Sequence, residues 1–140
     1  MNSGRRILVV EDERSIGEML KTVLEAQGFV IDIAIDGAKA KELIRGRKYD
    51  LYFMDIRLPV FSGMDLYEWM LEKYPSLARR VAFTTGSVIG EETKLFIKKV
   101  QRPTLFKPFT LKELREFIAS SFEAIDEEQC VGKAASYTGE

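Results

Sequence analysis

Acidic, hydroxyl and basic residues recur at one kind of place along this chain: directly behind a short apolar run. Glu11-Asp12-Glu13 follow Ile7-Leu8-Val9-Val10, Asp55 follows Leu51-Tyr52-Phe53-Met54, and Thr84, Thr85 and Gly86 follow Val81-Ala82-Phe83. Lys107-Pro108-Phe109 follow Thr104-Leu105-Phe106. If a fold gathers these side chains on one rim, the carboxylates repel by roughly 1–4 kcal/mol per pair at effective dielectric constants of 80 to 20. Positive charge must offset that. Lys107 supplies one charge, and a hard divalent cation such as Mg2+, which takes carboxylate, carbonyl and water oxygens, supplies two and leaves positions open for phosphate. Beside such charges Asp55 is a candidate nucleophile for phosphorus, because a carboxylate can carry a phosphoryl group as an aspartyl phosphate. Metal and ammonium would neutralise the group in transit.

Singly, each residue has a plainer explanation. Acids behind a strand often cap the next helix, a lone Lys before Pro is usually surface, and a Thr at a strand end is usually a turn residue. Four such signals at the same end of successive apolar runs are not independent, and the elements that must position them decide between the readings.

Those elements alternate. The run 7–10 is wholly apolar and β-branched, as in a strand covered on both faces. Ile16, Met19, Leu20, Val23 and Leu24 then repeat at helical spacing, with Gly28 as a stop. Ile31, Ile33 and Ile35 alternate with Asp32 and Ala34, the pattern of a strand with one exposed side, at a sheet edge. Ala40, Leu43 and Ile44 mark a second helix ended by Gly46. After the strand 51–54, Met64, Tyr67, Met70, Leu71 and Tyr74 mark a third helix, closed by Pro75. Residues 81–84 form the fourth strand, 91–100 a weakly amphipathic helix and 104–106 the fifth strand. Thr110 and Glu113 form a capping box for a last helix that carries Leu111, Leu114, Phe117, Ile118, Phe122 and Ile125. Trp69, Phe83, Phe96 and Phe106 read as packing residues. Five strand–helix alternations in 140 residues predict an α/β doubly wound parallel sheet with right-handed crossovers, too short for a barrel of roughly 250 residues. In such a sheet ligands bind beyond the C-terminal strand ends, where the polar residues fall. Residues 126–140 turn polar and small and read as a frayed C-terminal tail.

Composition narrows the function. The chain is 46% apolar and 31% charged, enough for a core and too mixed for disorder. Its net charge of −1 argues against a nucleic-acid groove. With no histidine, every His triad, His metal site and internal phosphohistidine is excluded. The single Cys130 excludes an internal disulfide or a cysteine zinc cluster. There is no long apolar run and no signal-peptide core, so no membrane contact is expected and the expected compartment is a reducing cytoplasm. No G-x-G-x-x-G or phosphate-binding G-x-x-x-x-G-K-[ST] loop occurs.

The segments Ile-Leu-Val-Val-Glu-Asp-Glu (7–13), Tyr-Asp-Leu-Tyr-Phe-Met-Asp-Ile-Arg-Leu-Pro-Val-Phe-Ser-Gly-Met-Asp (49–65), Phe-Thr-Thr-Gly-Ser (83–87) and Lys-Pro-Phe-Thr (107–110) together resemble the receiver domain of two-component response regulators. The resemblance covers roughly residues 5–123. It implies a flavodoxin-like receiver fold, a five-stranded sheet in order 2-1-3-4-5, with the receiver domain spanning 5–125. Carried over residue by residue, it implies that Asp55 accepts phosphorus, and that Glu11, Asp12, Asp55 and the backbone carbonyl of Arg57 hold Mg2+. Lys107 would meet the phosphoryl oxygens, and Thr85, followed by the small Gly86, would be the switch hydroxyl. A cis bond is implied at Lys107–Pro108, Pro59 and Gly63 would shape the loop behind Asp55, and Arg57 and Ser87 would flank the attacking water.

The implied partners are a histidine kinase or histidine phosphotransfer protein as donor and a downstream protein reached through the face of helix 91–100, strand 104–106 and the last helix. Direct nucleic-acid binding is not expected, and a weak homodimer is compatible with the reading. The implied activity is that of a phospho-acceptor with autodephosphorylation, not a turnover enzyme. One departure stands out: the family often has Tyr or Phe three residues before the Lys, where this chain has Thr104, so a coupled Thr–aromatic switch is not expected. Residues 102–109 look more like receivers of hybrid sensor histidine kinases than like those of transcription factors. Two alternatives compete. A Mg-dependent phosphohydrolase similar to the haloacid-dehalogenase type would need a second Asp two residues after the nucleophile, where Arg57 stands. A pseudo-receiver that only binds protein would not need Glu11, Asp12, Asp55, Thr85 and Lys107 all intact.

Overall fold

A computed structural model describes residues 4–58, 60–86 and 90–137, with side chains to residue 128. Pro59 and Ser87, and the side chain of Cys130, lie outside the described residues. The apolar runs become five parallel strands: β1 (Arg6–Val10), β2 (Val30–Ala34), β3 (Leu51–Asp55), β4 (Val81–Gly86) and β5 (Thr104–Lys107). They are ordered β2-β1-β3-β4-β5, as expected, with β2 and β5 at the edges. The helices between them are α1 (Arg14–Glu25), α2 (Gly37–Gly46), α3 (Gly63–Lys73), α4 (Pro75–Ala78), α5 (Glu91–Val100) and α6 (Leu111–Tyr137). Among the described residues no helix is long and apolar enough to cross a membrane.

The period of two sends alternate strand residues into two cores. Leu8, Val10, Tyr52, Met54, Val81 and Phe83 pack beneath α2, α3 and α4, with Phe96 and Ile97 of α5 against them. Ile7, Val9, Leu51, Phe53 and Ala82 pack beneath Leu20 and Leu24 of α1 and Leu114, Ile118, Phe122 and Ile125 of α6. Tyr67, Phe83 and Phe96 meet edge to face, with ring centroids 5.4–6.0 Å apart, the geometry that aromatic quadrupoles favour. Thr110 and Glu113 form the expected capping box, with the Glu113 N–H donating to Thr110 Oγ1 at 3.0 Å and the Thr110 N–H to Glu113 Oε1 at 2.8 Å.

Four expectations change. In β2 the strict alternation fails: Ala34 is fully buried while Ile35 lies beyond the strand and is 58% exposed. The buried residues of this edge strand, Ile31 and Ala34, are three apart and belong to opposite cores. Phe106 does not pack inside; it is 44% exposed, because an edge strand has no neighbour to cover its outer flank. The short α4 has no amphipathic period to announce it, and Pro75 occupies its first turn, where a missing N–H costs nothing. Finally, the helical backbone does not stop at Ile125. It continues α6 to Tyr137, through a stretch that includes Glu, Gln, Lys and Ala and no proline. Arg5 holds this helix where the apolar stripe ends, pairing with Asp126 at 3.0 Å and stacking over Phe122 at 4.4 Å.

Phe83 touches both Tyr67 and Phe96 and is fully buried, so Phe83→Ala is expected to cost about 3–5 kcal/mol, read as a lower urea midpoint at unchanged slope. A loss below about 1 kcal/mol would mean that the two helices collapse onto the gap.

Candidate functional site

Parity and strand length bring the polar residues together. Asp55 follows Leu51 and Phe53 at steps of two, Lys107 follows Leu105, and Glu11 follows Ile7 and Val9, so all three emerge on the α1–α6 face at the C-terminal rim. The Glu11 N–H still donates to Ala34 O at 3.0 Å, so the ladder carries Glu11 one residue past its strand. There Lys107 Nζ donates at 2.8 Å to Glu11 Oε1 and at 2.8 Å to Asp55 Oδ2. Glu11 is 1% and Asp55 5% exposed, so these are nearly dry carboxylates sharing one ammonium.

The remaining carboxylate oxygens are also engaged. Asp55 Oδ1 accepts the Arg57 N–H at 2.9 Å and Glu11 Oε2 the Glu13 N–H at 3.3 Å. Asp12 is exposed, yet one oxygen each of Glu11, Asp12 and Asp55 lie within 4.8 Å of one another. Three hard oxygen donors at that spacing suit a divalent cation and no soft metal. The helix-capping explanation of the acidic run fails: the N-cap of α1 is Glu13, and it makes no side-chain cap bond. Glu11 instead faces Lys107.

Electrostatics follow from this packing. Burial raises the Glu11 carboxyl above its ordinary value, with Asp55 adding to the rise and the Lys107 hydrogen bond opposing it. Burial pulls the Lys107 ammonium down, but hydrogen bonds to Asp55 and Glu11 outweigh it and leave it raised. Packing therefore makes Glu11 harder to ionise than a free glutamate and keeps Lys107 firmly charged, as expected where carboxylates outnumber the ammonium they share.

The loop behind Asp55 is tightly wound. The Gly63 N–H donates to Ile56 O at 2.9 Å, and a Cβ at Gly63 would collide with Asp55 O and stand 2.8 Å from Ile56 Cα. Only glycine fits that approach. Ser62 and Asp65 cap α3 reciprocally, a second capping box that sequence reasoning missed although the serine and acid stand at the required spacing. Phe61 packs against Gly37, with the Lys41 ammonium 4.0 Å above its ring. The peptide bond at Lys107–Pro108 is cis.

Thr84 and Thr85 are both buried and neither hydroxyl has a hydrogen-bond partner. They point oppositely, Thr85 with Phe83 and Thr84 with Ala82. Arg57 is exposed and is brought beside Asp55 through its backbone. Thr104 donates to Arg102 O at 3.2 Å, and its register partner is Phe83. Beside Lys107 lies an apolar recess of about 620 Å³, walled by Ile16 and Met19 of α1 and by Pro108 and Phe109.

Replacing the ammonium but not the carboxylates, as in Lys107→Met, is expected to cost about 3 kcal/mol at neutral pH in a buffer free of divalent cations, measured by urea denaturation. The ion pair contributes fully below the ordinary lysine value of 10.5 and is lost as pH rises through the raised one. On the alkaline side wild type and variant should thus converge. Glu11, with its value also raised, contributes fully below 4.5 and loses that contribution as pH rises through its raised value; Glu11→Gln should remove this part of the pH dependence.

Comparison with known proteins agrees with this geometry. The profile of the response regulator receiver domain matches residues 7–119. The aerobic respiration control sensor protein ArcB of Escherichia coli (strain K12) is 28% identical over 125 residues, which make up 88% of this chain and 16% of ArcB. The transcriptional regulatory protein QseB of Escherichia coli O157:H7 is 32% identical over 120 residues, 86% of this chain and 52% of QseB. The chain therefore spans about a sixth of one relative and about half of the other. Among solved structures, the non-phosphorylated HemR receiver domain of Leptospira biflexa superposes with a TM-score of 0.74 at 32% identity, covering 84% of this chain and 94% of that one. A sheet in order 2-1-3-4-5, an acidic rim closed by a lysine and a profile match over most of the length lead to one conclusion: the chain belongs to the response regulator receiver family of two-component signalling.

Proposed function

We propose that this chain is a phospho-accepting switch whose reactive group is the Asp55 carboxylate. The observation that carries the reading is the Lys107 ammonium held at 2.8 Å from both Asp55 and Glu11, with Asp12 completing a triad of carboxylates at the rim. An Asp55 oxygen attacks the phosphorus of a phosphohistidine on a partner protein. The P–N bond breaks, its electron pair stays on the imidazole, and an aspartyl phosphate forms. The phosphohistidine lies outside these 140 residues, which contain no histidine.

The cation that fits this donor set is Mg2+, which Glu11, Asp12, Asp55 and the Arg57 carbonyl would hold. Once bound it would draw charge from the transferring oxygens. Lys107 would do the same, and the Arg57 N–H orients the Asp55 carboxyl. Phosphorylation turns a −1 side chain into one near −2 with three acceptor oxygens. The unpartnered Thr85 hydroxyl would swing toward them, and the change would reach the surface of α5, β5 and α6. Leu95 and Phe106 are exposed there, at 64% and 44%, and this is the face assigned to a downstream protein or a weak homodimer. Thr104 in place of an aromatic ring favours phosphotransfer over a large surface rearrangement. The recess of Ile16, Met19, Pro108 and Phe109, which opens beside Lys107, is where the donor's histidine would approach. We assign the chain to the cytoplasm and to signalling by stoichiometric phosphorylation with self-hydrolysis, not to substrate turnover, and we assign it no direct contact with nucleic acid.

Incubation with acetyl phosphate and Mg2+ is expected to add one phosphoryl group by intact-mass measurement. Asp55→Asn or excess EDTA should abolish the addition, and a gain that survives Asp55→Asn would sink the reading. Met19→Arg should leave modification by acetyl phosphate unchanged and slow transfer from a phosphohistidine protein at least about tenfold, the scale of an interface anchor worth over 1 kcal/mol. Equal slowing with both donors would move the role of Met19 from docking to folding.

A further inference from the structure

Thr84 takes no part in the function proposed above, yet its place in the sheet is unusual. It stands in register with Asp55 on one side and Leu105 on the other. Ala82, two residues earlier, lies in the α1–α6 core with Phe53 and Leu105, so Thr84 shares its face with Asp55 and Lys107 and turns away from Thr85. It is 2% exposed and its hydroxyl has no hydrogen-bond partner. Valine has nearly the same shape and would avoid the penalty of an orphaned buried hydroxyl. A buried donor with no acceptor, one strand from a carboxylate, implies an acceptor that becomes free in another state of the molecule.

We propose that Thr84 is a positioning residue for the Asp55 carboxyl and that it shortens the life of the phosphorylated form. The inference rests on Asp55 being the acceptor. Before phosphorylation Asp55 Oδ2 is taken by Lys107 Nζ at 2.8 Å and Oδ1 by the Arg57 N–H at 2.9 Å. When Lys107 turns to the phosphoryl oxygens it releases its carboxyl oxygen. Adjacent strands lie only about 4.7–4.9 Å apart, so a rotation about the Cα–Cβ bond brings the Thr84 hydroxyl to the vacated acceptor. In hydrolysis a water oxygen bonds to phosphorus and the bond from phosphorus to the Asp55 oxygen breaks. The electron pair of that bond returns to the carboxylate, and the water's protons end on inorganic phosphate and solvent. Negative charge thus grows on the Asp55 carboxyl, and a donor aimed at it stabilises that transition state more than the acyl phosphate.

The test compares wild type, Thr84→Val and Thr84→Ser. Each is phosphorylated with acetyl phosphate and Mg2+, freed of the donor, and followed by intact mass as the phosphoryl group is lost. Thr84→Val should keep it about 3- to 10-fold longer, the scale of one hydrogen bond, while melting no lower than wild type. Thr84→Ser should decay within about twofold of wild type, because the hydroxyl is retained. Equal lifetimes in all three, or a serine variant as slow as valine, would overturn the proposal, since packing rather than the hydroxyl would then be at work. If Thr84→Val does not fold, Thr84→Ala against Thr84→Ser makes the same comparison with the same outcomes. A wild-type chain that gains no phosphoryl group removes Asp55 as the acceptor and this inference with it, whereas a phosphorylated wild type with indifferent variants removes Thr84 alone.

Discussion

One ammonium between two nearly dry carboxylates governs the chemistry of this protein. Lys107 reaches Glu11 and Asp55 at 2.8 Å each from the far side of the sheet, across β4 and, for Glu11, across β3 as well. Without it both acids would stand buried with no opposite charge in hydrogen-bond contact. The arrangement is unbalanced by design of the fold: a third carboxylate, Asp12, lies within 4.8 Å of the other two, and the one fixed cation does not neutralise all three. That deficit suits the rim to a divalent ion.

The rest of the structure serves to keep that rim in place. Two apolar cores clamp the sheet from both sides, so the strand ends are rigid where the charged residues leave them. The close approach of Gly63 to the backbone of Asp55 and Ile56, and the capping box of Ser62 with Asp65, hold the loop behind Asp55. Arg102 ties the opposite end of the sheet, its guanidinium donating to Val81 O at 2.9 Å and Arg79 O at 2.6 Å. Tyr49 donates to Asp32 at 2.6 Å and so pins edge strand β2 to the start of β3. These contacts lie far from the rim and act only through the sheet that carries it.

Against this rigidity, the buried hydroxyls of Thr84 and Thr85 are the unsatisfied part of the site. An orphaned hydroxyl costs stability in the resting state. Two of them stand side by side on opposite faces of β4, the strand next to the one that ends in Asp55. The exposed edge at Phe106 and Leu95 lies on the Thr85 side, so any movement there has a short path to the surface.

The sequence by itself determined the five strands, the covered faces of the inner three and the rim that carries Glu11, Asp12, Asp55 and Lys107, because β-branched runs, helical spacing and strand-end positions are local properties. It also determined the capping box at Thr110. It did not determine which aromatic residues are covered: Phe106 has the same composition around it as a core strand, and only its place at the sheet edge exposes it. Nor could it show that the polar stretch after Ile125 would continue α6, since propensity without an apolar stripe leaves that choice to the body the helix grows from. Tertiary structure alone decided that Glu11 faces Lys107 instead of capping α1, and that Thr84 and Thr85 serve opposite faces. Those outcomes depend on which strand lies beside which, and pairings between residues as far apart as 11 and 107 are not written in any local pattern.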